Sequence, residues 1–251
     1  MSTSGAQRLV RIGEVIRMHR ENAGYTQQEL ADLAHTSLST VQLIERQVRQ
    51  GTPQVLRQIF DALDIFPLAQ DYLMSLSDQP FEVQARILAD ETFEVEKQDL
   101  AMLDSLRHPA CIHRPATFNV VAANQQFYDL FPGIEEVGNV LYYQLLDPRA
   151  KYVVVDWETQ AQLFSSAFHC LAPALMTREK FDEMLSKLST SLEFTTMYKR
   201  RIPPSKLLEH TTTVTTRDRY TNEEQTWYRN ITTMLFPHQR STWYMTFHPV
   251  D

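Results

Sequence analysis

Hydroxyl and amide side chains are concentrated in residues 26–46, which read TQQELADLAHTSLSTVQLIER. Thr26 can cap a helix, and Glu29 three residues later completes a capping box, so a helix is predicted to begin here. Ser37 is a second cap and opens a predicted helix over residues 38–45. Exposed amides at helix N-termini, together with short polar side chains, suit phosphate groups and base edges. The stretch therefore predicts recognition of a polyanion by hydrogen bonds.

Catalytic motifs are not found in the rest of the sequence. Five histidines are scattered without HExxH spacing: His113, His169, His210, His238 and His248. The six glycines form no GxSxG elbow, Walker A loop or GxGxxG turn. The two cysteines, Cys111 and Cys170, lack zinc-site spacing and are interpreted as buried reduced thiols. We expect no enzymatic activity, no metal and no cofactor; haem held by a lone histidine stays open as an alternative, although CxxCH is absent.

The charge of the chain is unevenly distributed. Thirty-one acidic and 24 basic side chains give a net charge of −7 over 251 residues, which excludes a uniformly basic nucleic-acid coat. Residues 1–60 nevertheless carry seven arginines against five acids, or +2, which leaves −9 for the remainder. Such asymmetry indicates that one part meets a polyanion and the other does not. Without a signal peptide or an apolar run of roughly 18 residues, we expect a cytoplasmic protein that does not enter a membrane.

The pattern of helix and strand signals changes along the chain. Apolar residues three or four apart predict four or five short helices over residues 8–73. An acidic, helix-prone bridge follows, and CIHRPATFNVVAAN from residue 111 predicts two short strands around a proline turn. The tail beyond Tyr198 is rich in Thr, Tyr, Trp and Val and predicts three more strands. The predicted domains are an all-α head over 1–75, a helical linker over 76–102, and an α+β domain over 103–251.

The segment GYTQQELADLAHTSLSTVQLIER, with helical segments on both sides, resembles the XRE (Cro/cI-like) helix-turn-helix family. The resemblance implies that the second helix lies in the major groove of double-stranded DNA, with the side chains near its N-terminus against base edges. Carried over by position, Gln27 would hold a phosphate at the start of the first helix of the motif. Leu38, Ser39 and Leu43 would occupy the base-facing positions of the second helix, with Thr40 and Gln42 nearby. The capping residue Ser37 is also among the predicted DNA-binding residues.

Charged residues around this motif have separate expected roles. Arg46 and Arg49 are interpreted as phosphate contacts, the alternative being ordinary solvated arginines. Arg20 and Glu45 match an ion pair that, in the XRE family, ties the first helix to the recognition helix. Gln47 departs from the family pattern, which has glycine after the recognition helix. A helix-turn-helix that does not bind DNA, as in antitoxins and interaction modules, stays open as an alternative.

The larger C-terminal part resembles the MmyB-like ligand-binding domain. The similar pieces occur in family order across residues 103–248: LDSLRHPACIHRPATFNVVAANQQFYDLF, LLDPRAKYVVVDWE, LSKLSTSLEF and LLEHTTTV. The resemblance implies an XRE head joined to a PAS-like α+β fold whose ligands are small and apolar, fatty acids being the leading candidates. The candidate wall residues are Phe127, Tyr128, Phe131, Trp157, Leu163, Phe168 and Trp227. The candidate polar anchors are Tyr198, Arg201, His210 and Tyr228. Ordinary core packing is the alternative for each aromatic.

Three classes of function follow. The leading hypothesis is a ligand-responsive transcription regulator that binds operator DNA as a homodimer and responds to a small apolar ligand. The second is an antitoxin-like or scaffold protein whose C-terminal domain only dimerises. An enzyme is the third and least supported class.

Overall fold

The structure is a computed structural model that describes residues 12–65, 67–77, 95–115, 117–200, 212–233 and 242–250. The chain divides into two compact units, residues 1–90 with 170–177 and residues 91–169 with 178–251. We call residues 12–77 the head and residues 95–169 with 178–250 the body. Among the described residues, none of the helices is both long enough and apolar enough to cross a membrane.

The described head is entirely helical, as predicted. Its five helices are α1 (Ile12–Ala23), α2 (Gln27–Leu33), α3 (Leu38–Glu45), α4 (Pro53–Ala62) and α5 (Pro67–Ser77). Residues with positive φ separate the helices: Gly24 adopts φ +75° after α1, and His35 adopts φ +50° between α2 and α3. Thr52 caps α4, and Pro53 follows in the first turn, where its missing N–H costs nothing.

Both predicted caps of the helix-turn-helix are present. The Thr26 hydroxyl accepts the Glu29 amide at 3.1 Å while the Glu29 carboxylate accepts the Thr26 amide at 2.7 Å. The Ser37 hydroxyl accepts the Thr40 amide at 3.1 Å. These local hydrogen bonds satisfy amides that a helix N-terminus leaves unpaired, so they determine where α2 and α3 begin.

Close packing holds α3 against the rest of the head. Val41 and Ile44 are buried on its inner side. Gly13 on α1 faces the backbone of Ile44, and a Cβ atom at Gly13 would overlap the Ile44 carbonyl. Glycine at this position therefore allows α1 to approach α3 closely.

The described body combines a sheet with helices, which confirms the α+β prediction. Its helices are α6 (Lys97–Ser105), α7 (Gln125–Leu130), α8 (Ile134–Val137), α9 (Val140–Leu146), α10 (Pro148–Val153), α11 (Trp157–Leu175), α12 (Arg178–Leu188) and α13 (Leu192–Lys199). Its strands are β1 (Ala110–His113), β2 (Val120–Ala123), β3 (Thr213–Arg217), β4 (Glu224–Thr233) and β5 (Trp243–Pro249). All five strands occur where the sequence predicted them.

The five strands form one antiparallel sheet in the order β2-β1-β5-β4-β3. Successive residues of a strand point to opposite faces. On β4, Arg229 is buried whereas its neighbour Tyr228 is 49% exposed. Helices α7, α9 and α11 cover the face that carries Arg229, and we call this the inner face. On the outer face, Tyr244 packs with Leu103 of α6, and its hydroxyl donates to Asp99 at 2.9 Å.

His113 is buried on the inner face and should make the stability of the body depend on pH. Burial lowers the pKa of His113 to about 4. In the unfolded chain the same histidine takes up a proton near its ordinary pKa of about 6.5. Between about pH 6.5 and 4 the unfolded state therefore binds more protons than the folded state, and the free energy of unfolding falls as the pH falls. We expect the body to lose about 2 kcal/mol of stability between pH 7 and 5 from this histidine alone.

The measurement is urea denaturation followed by tryptophan fluorescence, because Trp157, Trp227 and Trp243 are all in the body. His113→Gln should flatten the pH dependence between pH 5 and 7, whatever its effect on stability at pH 7. The exposed His108 provides the control, since His108→Asn should keep the wild-type slope. An unchanged slope in His113→Gln would contradict the prediction.

Candidate functional site

One side of α3 is available for contact. Its inner side buries Val41, Ile44 and Glu45. Spacings of three and four residues place four exposed or partly exposed side chains along a single stripe. This stripe, which we call the α3 stripe, consists of Ser39, Gln42, Leu43 and Arg46. Its hydroxyl, amide and guanidinium groups can hydrogen-bond base edges and phosphates. Its branched apolar side chain can contact a thymine methyl.

Other predicted contact residues have partners inside the head. The hydroxyls of Ser37 and Thr40 hydrogen-bond each other at 2.8 Å, so both take part in capping α3. Leu38 is partly exposed in the first turn of the helix. The Gln27 amide donates to Glu45 at 2.7 Å. Because an amide NH₂ group carries two donors, this bond orients Gln27 and leaves its second N–H for an anion.

A buried ion pair orients α3 relative to α1. Arg20 donates to both carboxylate oxygens of Glu45, at 2.6 and 3.2 Å, and to the Tyr25 carbonyl at 2.8 Å. The side chains of Arg20 and Glu45 are 10% and 3% exposed. Together with Gln27, this pair links α1, α2 and α3, so the predicted structural ion pair is present and sets the direction of the α3 stripe.

The segment after α3 presents cations next to the stripe. Arg46 and Arg49 are both exposed. Gln47 adopts φ +57°, a left-handed conformation in which glycine is the least strained residue. This left-handed backbone explains why the family pattern has glycine at this position. Gln47 adopts the same conformation at a cost of about 1 kcal/mol.

The body contains an apolar cavity between the inner face of the sheet and helices α7, α9 and α11. Nine of its thirteen lining residues are apolar, among them Phe127, Phe131, Phe164 and Phe247. Its volume is about 20 Å³, close to the roughly 10–15 Å³ that one water molecule needs. A larger ligand can therefore enter only if lining side chains move.

The four polar lining residues are Tyr143, Gln144, Gln160 and Arg229. The hydroxyl of Tyr143 and the amide nitrogen of Gln144 are buried without a hydrogen-bond partner in the described part of the chain. Each such group costs about 1–3 kcal/mol. Burial raises the pKa of Tyr143 above its usual range, so its hydroxyl stays a donor. Burial also lowers the pKa of Arg229 to about 10, which leaves the guanidinium charged at neutral pH.

Only part of the ligand set predicted from the sequence lines this cavity. Phe127 and Phe131 line it. The Trp157 indole donates to the Gln144 carbonyl at 2.7 Å and so supports the wall from outside. Tyr128 contacts the ring of Phe127, and Leu163 is buried, but neither lines the cavity.

The other predicted ligand residues lie elsewhere. Phe168 and Tyr198 belong to a separate aromatic cluster with Phe181 and Phe194. The Trp227 indole donates to the Thr216 hydroxyl at 2.8 Å on the neighbouring strand β3. Tyr228 is on the outer face, because strand alternation turns it away from Arg229. Arg201 and His210 lie outside the described residues.

Two protein-family models match the chain. The family described as MmyB-like transcription regulator ligand binding domain matches residues 95–249, more than half of the chain. The chain belongs to this MmyB-like family. A helix-turn-helix domain matches residues 11–70, in agreement with α2 and α3. Comparison with curated proteins gives no match.

This MmyB-like protein therefore joins a DNA-binding type of head to a ligand-binding type of body, the architecture of a ligand-responsive transcription regulator. The site residues predicted from the sequence do not include Tyr143, Gln144, Gln160 or Arg229. For Arg229 a signal was present. Alternation along TWYRNI places Arg229 on the same face of the strand as Trp227 and Ile231. A charged residue on a mostly apolar face is uncommon, so its position indicates a candidate functional residue.

Proposed function

We propose that the protein binds operator DNA through the α3 stripe and that a ligand in the body controls this binding. The observation that carries the proposal is the exposure of the α3 stripe on a helix whose other side is held by the Arg20–Glu45 pair. Arg46 and Arg49 would supply the phosphate contacts that give affinity. Ser39 and Leu43 would contribute to sequence preference.

We further propose that the regulator acts as a homodimer in the cytoplasm and has no enzymatic activity. In XRE-type proteins each head reads one half-site, and two-fold dimers read half-sites one helical turn apart, about 34–36 Å. The PAS-like body is acidic and thus unsuited to DNA, and we propose that it holds the two heads together. The expected operator is therefore a palindrome with two half-sites.

The ligand is proposed to be a small, mostly apolar molecule, with fatty acids as the leading candidates. The apolar majority of the cavity lining supports this choice. A ligand changes DNA binding only if its affinity differs between the DNA-competent and incompetent conformations. Because the cavity is small, entry of a ligand must displace side chains, and this displacement is the proposed source of the difference in affinity.

Selection of duplexes from a random library tests the DNA-binding proposal. We expect full-length protein to select a palindromic motif with half-sites 10–10.5 base pairs apart. Ser39→Ala and Leu43→Ala should change the selected sequence. Arg46→Ala and Arg49→Ala should weaken binding to all duplexes and lower the slope of log affinity against log salt by about one each.

Arg57→Ala is the matched control for the two arginine variants. Arg57 is also exposed in the head, but it lies on α4, where it pairs with Asp71 at 3.4 Å. Its replacement should leave both the selected sequence and the salt slope unchanged. Recovery of no enriched motif, together with equal binding by all variants, would contradict DNA recognition by α3.

An interaction protein whose body only dimerises is the second candidate. The observation in its favour is the cavity volume of about 20 Å³, which is close to a filled core. Mass spectrometry of the purified protein under non-denaturing conditions distinguishes the two. A co-purifying small molecule supports the sensor, whereas a dimer that neither carries nor accepts any ligand supports the second candidate.

A further inference from the structure

The outer face of the sheet in the body is covered over one half and open over the other. Helix α6 covers the β1 half, where Leu103 packs against Tyr244. On β4 the outward side chains of Tyr228, Asn230 and Thr232 are all exposed. The boundary is sharp, because Thr232 is exposed whereas Tyr244, its partner on β5, is 5% exposed. Antiparallel sheets often leave one face to solvent, so the side chains decide whether the open half binds a partner.

The open half of the outer face lacks lysine, arginine and carboxylate side chains. The register places Thr213 of β3 and His248 of β5 on either side of Tyr228. We call the open half the outer patch, and it consists of Thr213, Thr215, Thr226, Tyr228, Asn230, Thr232, Thr246 and His248. None of the eight is Asp, Glu, Lys or Arg, although these types make up 22% of the chain. At the border of the patch, Arg217 and Glu224 neutralise each other at 2.8 Å.

The side-chain types of the outer patch are those of a protein–protein interface. The cores of such interfaces are depleted in charged residues and enriched in tyrosine. Tyr228 supplies an aromatic ring that is 49% exposed, with threonines on β3 and β4 around it. Hydroxyl and amide groups can both donate and accept hydrogen bonds. Two copies of the patch related by a two-fold axis can therefore pair their polar groups with each other.

The charge of the body identifies a second copy of this chain as the partner that fits the outer patch. Twenty acidic and 16 basic residues give residues 91–251 a net charge of −4. Two bodies of the same net charge repel each other, and like charges placed opposite each other across an interface cost affinity. The outer patch avoids this cost, because no carboxylate of one copy would face a carboxylate of the other. A basic partner would instead bind best where the acidic residues are.

We propose that the body dimerises through the outer patch, with the two sheets stacked face to face and Tyr228 within the contact. The inference rests on the proposed homodimer and adds to it the surface that forms the dimer. The two faces of a sheet point in opposite directions. Dimerisation through the outer patch therefore leaves the inner face and its cavity uncovered by the partner in both protomers.

Sedimentation equilibrium of the full-length protein tests this interface. We expect the wild type to be a dimer. In Tyr228→Glu the dimer Kd should rise by about 100-fold or more, because the substitution places one carboxylate of each copy in an uncharged contact. Tyr228→Phe keeps the aromatic ring, so its Kd should rise by about tenfold at most. Tyr220→Glu is the matched control: Tyr220 is 79% exposed between β3 and β4, outside the patch, and its replacement should leave the Kd unchanged.

Cross-linking gives a second measurement that adds no charge to the contact. Asn230→Cys places a thiol on the outer patch, whereas the native Cys111 and Cys170 are both buried. A bismaleimide about 10 Å long, which is the spacing of stacked sheets, should join two copies of this variant. Glu223→Cys carries its thiol in the exposed turn before β4 and should not be cross-linked.

The outcomes separate this interface from the rest of the proposed function. A wild-type Kd in Tyr228→Glu, equal dissociation of Tyr228→Glu and Tyr220→Glu, or no cross-link in Asn230→Cys would overturn the inference. A dimer that persists in Tyr228→Glu leaves the homodimer standing with a different interface. A wild-type protein that is monomeric at every concentration refutes both the homodimer and the interface, and the selection of duplexes tests DNA binding independently of either.

Discussion

Glu45→Ala is expected to destabilise the head by about 3–5 kcal/mol, because it leaves the guanidinium of Arg20 buried without its carboxylate. The carboxylate also accepts the Gln27 amide, so the substitution removes partners from α1 and α2 at once. Since α3 is held by this network, DNA binding should be lost together with the stability of the head.

Hydrogen–deuterium exchange measures this effect in the head alone. Amides of α1 and α3 should exchange faster by roughly two to four orders of magnitude in Glu45→Ala, while amides of the body keep their rates. Asp71→Ala is the control, since Asp71 forms an exposed pair with Arg57 and its loss should cost less than about 1 kcal/mol. Equal exchange in the two variants would show that the buried pair contributes no more than a surface pair.

Asn124→Ala is expected to destabilise the body by about 3 kcal/mol or more. Asn124 is 3% exposed and connects three segments. Its carboxamide oxygen accepts the amides of Ala110 and Phe127 at 3.0 and 3.1 Å, and its nitrogen donates to the His108 carbonyl at 2.9 Å. The side chain thus joins the start of β1 to the start of α7, and alanine would leave buried backbone groups unpaired.

Tryptophan fluorescence during urea denaturation reports on this change, because all three tryptophans are in the body. Ser191→Ala is the control. Ser191 caps α13 by accepting the Phe194 amide at 3.1 Å, so its loss should cost only about 1 kcal/mol. A midpoint shift for Asn124→Ala that is no larger than this would contradict a connecting role.

The head was largely predictable from the sequence, whereas the cavity of the body was not. In the head, local hydrogen bonds decide the structure: the Thr26 box and the Ser37 cap each join residues three positions apart. Such bonds depend only on neighbouring residues, so their pattern is visible in the sequence. The five strands of the body were predictable for a similar reason, because β-branched and aromatic runs favour extended backbone wherever they occur.

The cavity could not be predicted in the same way. Its polar groups come from α9, α11 and β4, and Arg229 bonds to Gln160 across 69 positions of the chain. Which of the many aromatics line a cavity depends on strand register and helix packing, and a shift of one residue on β4 would exchange Tyr228 for Arg229.

The sequence by itself determined the helix-turn-helix, the strand segments and the family likeness, because these depend on local hydrogen bonds and on the order of short motifs. Only the tertiary structure decided that Gly13 lies against the Ile44 backbone, that Gln27 donates to Glu45, and that an arginine enters the apolar interior of the body. The physical reason is that these contacts join residues far apart in the chain, and their energies depend on burial that no local pattern specifies.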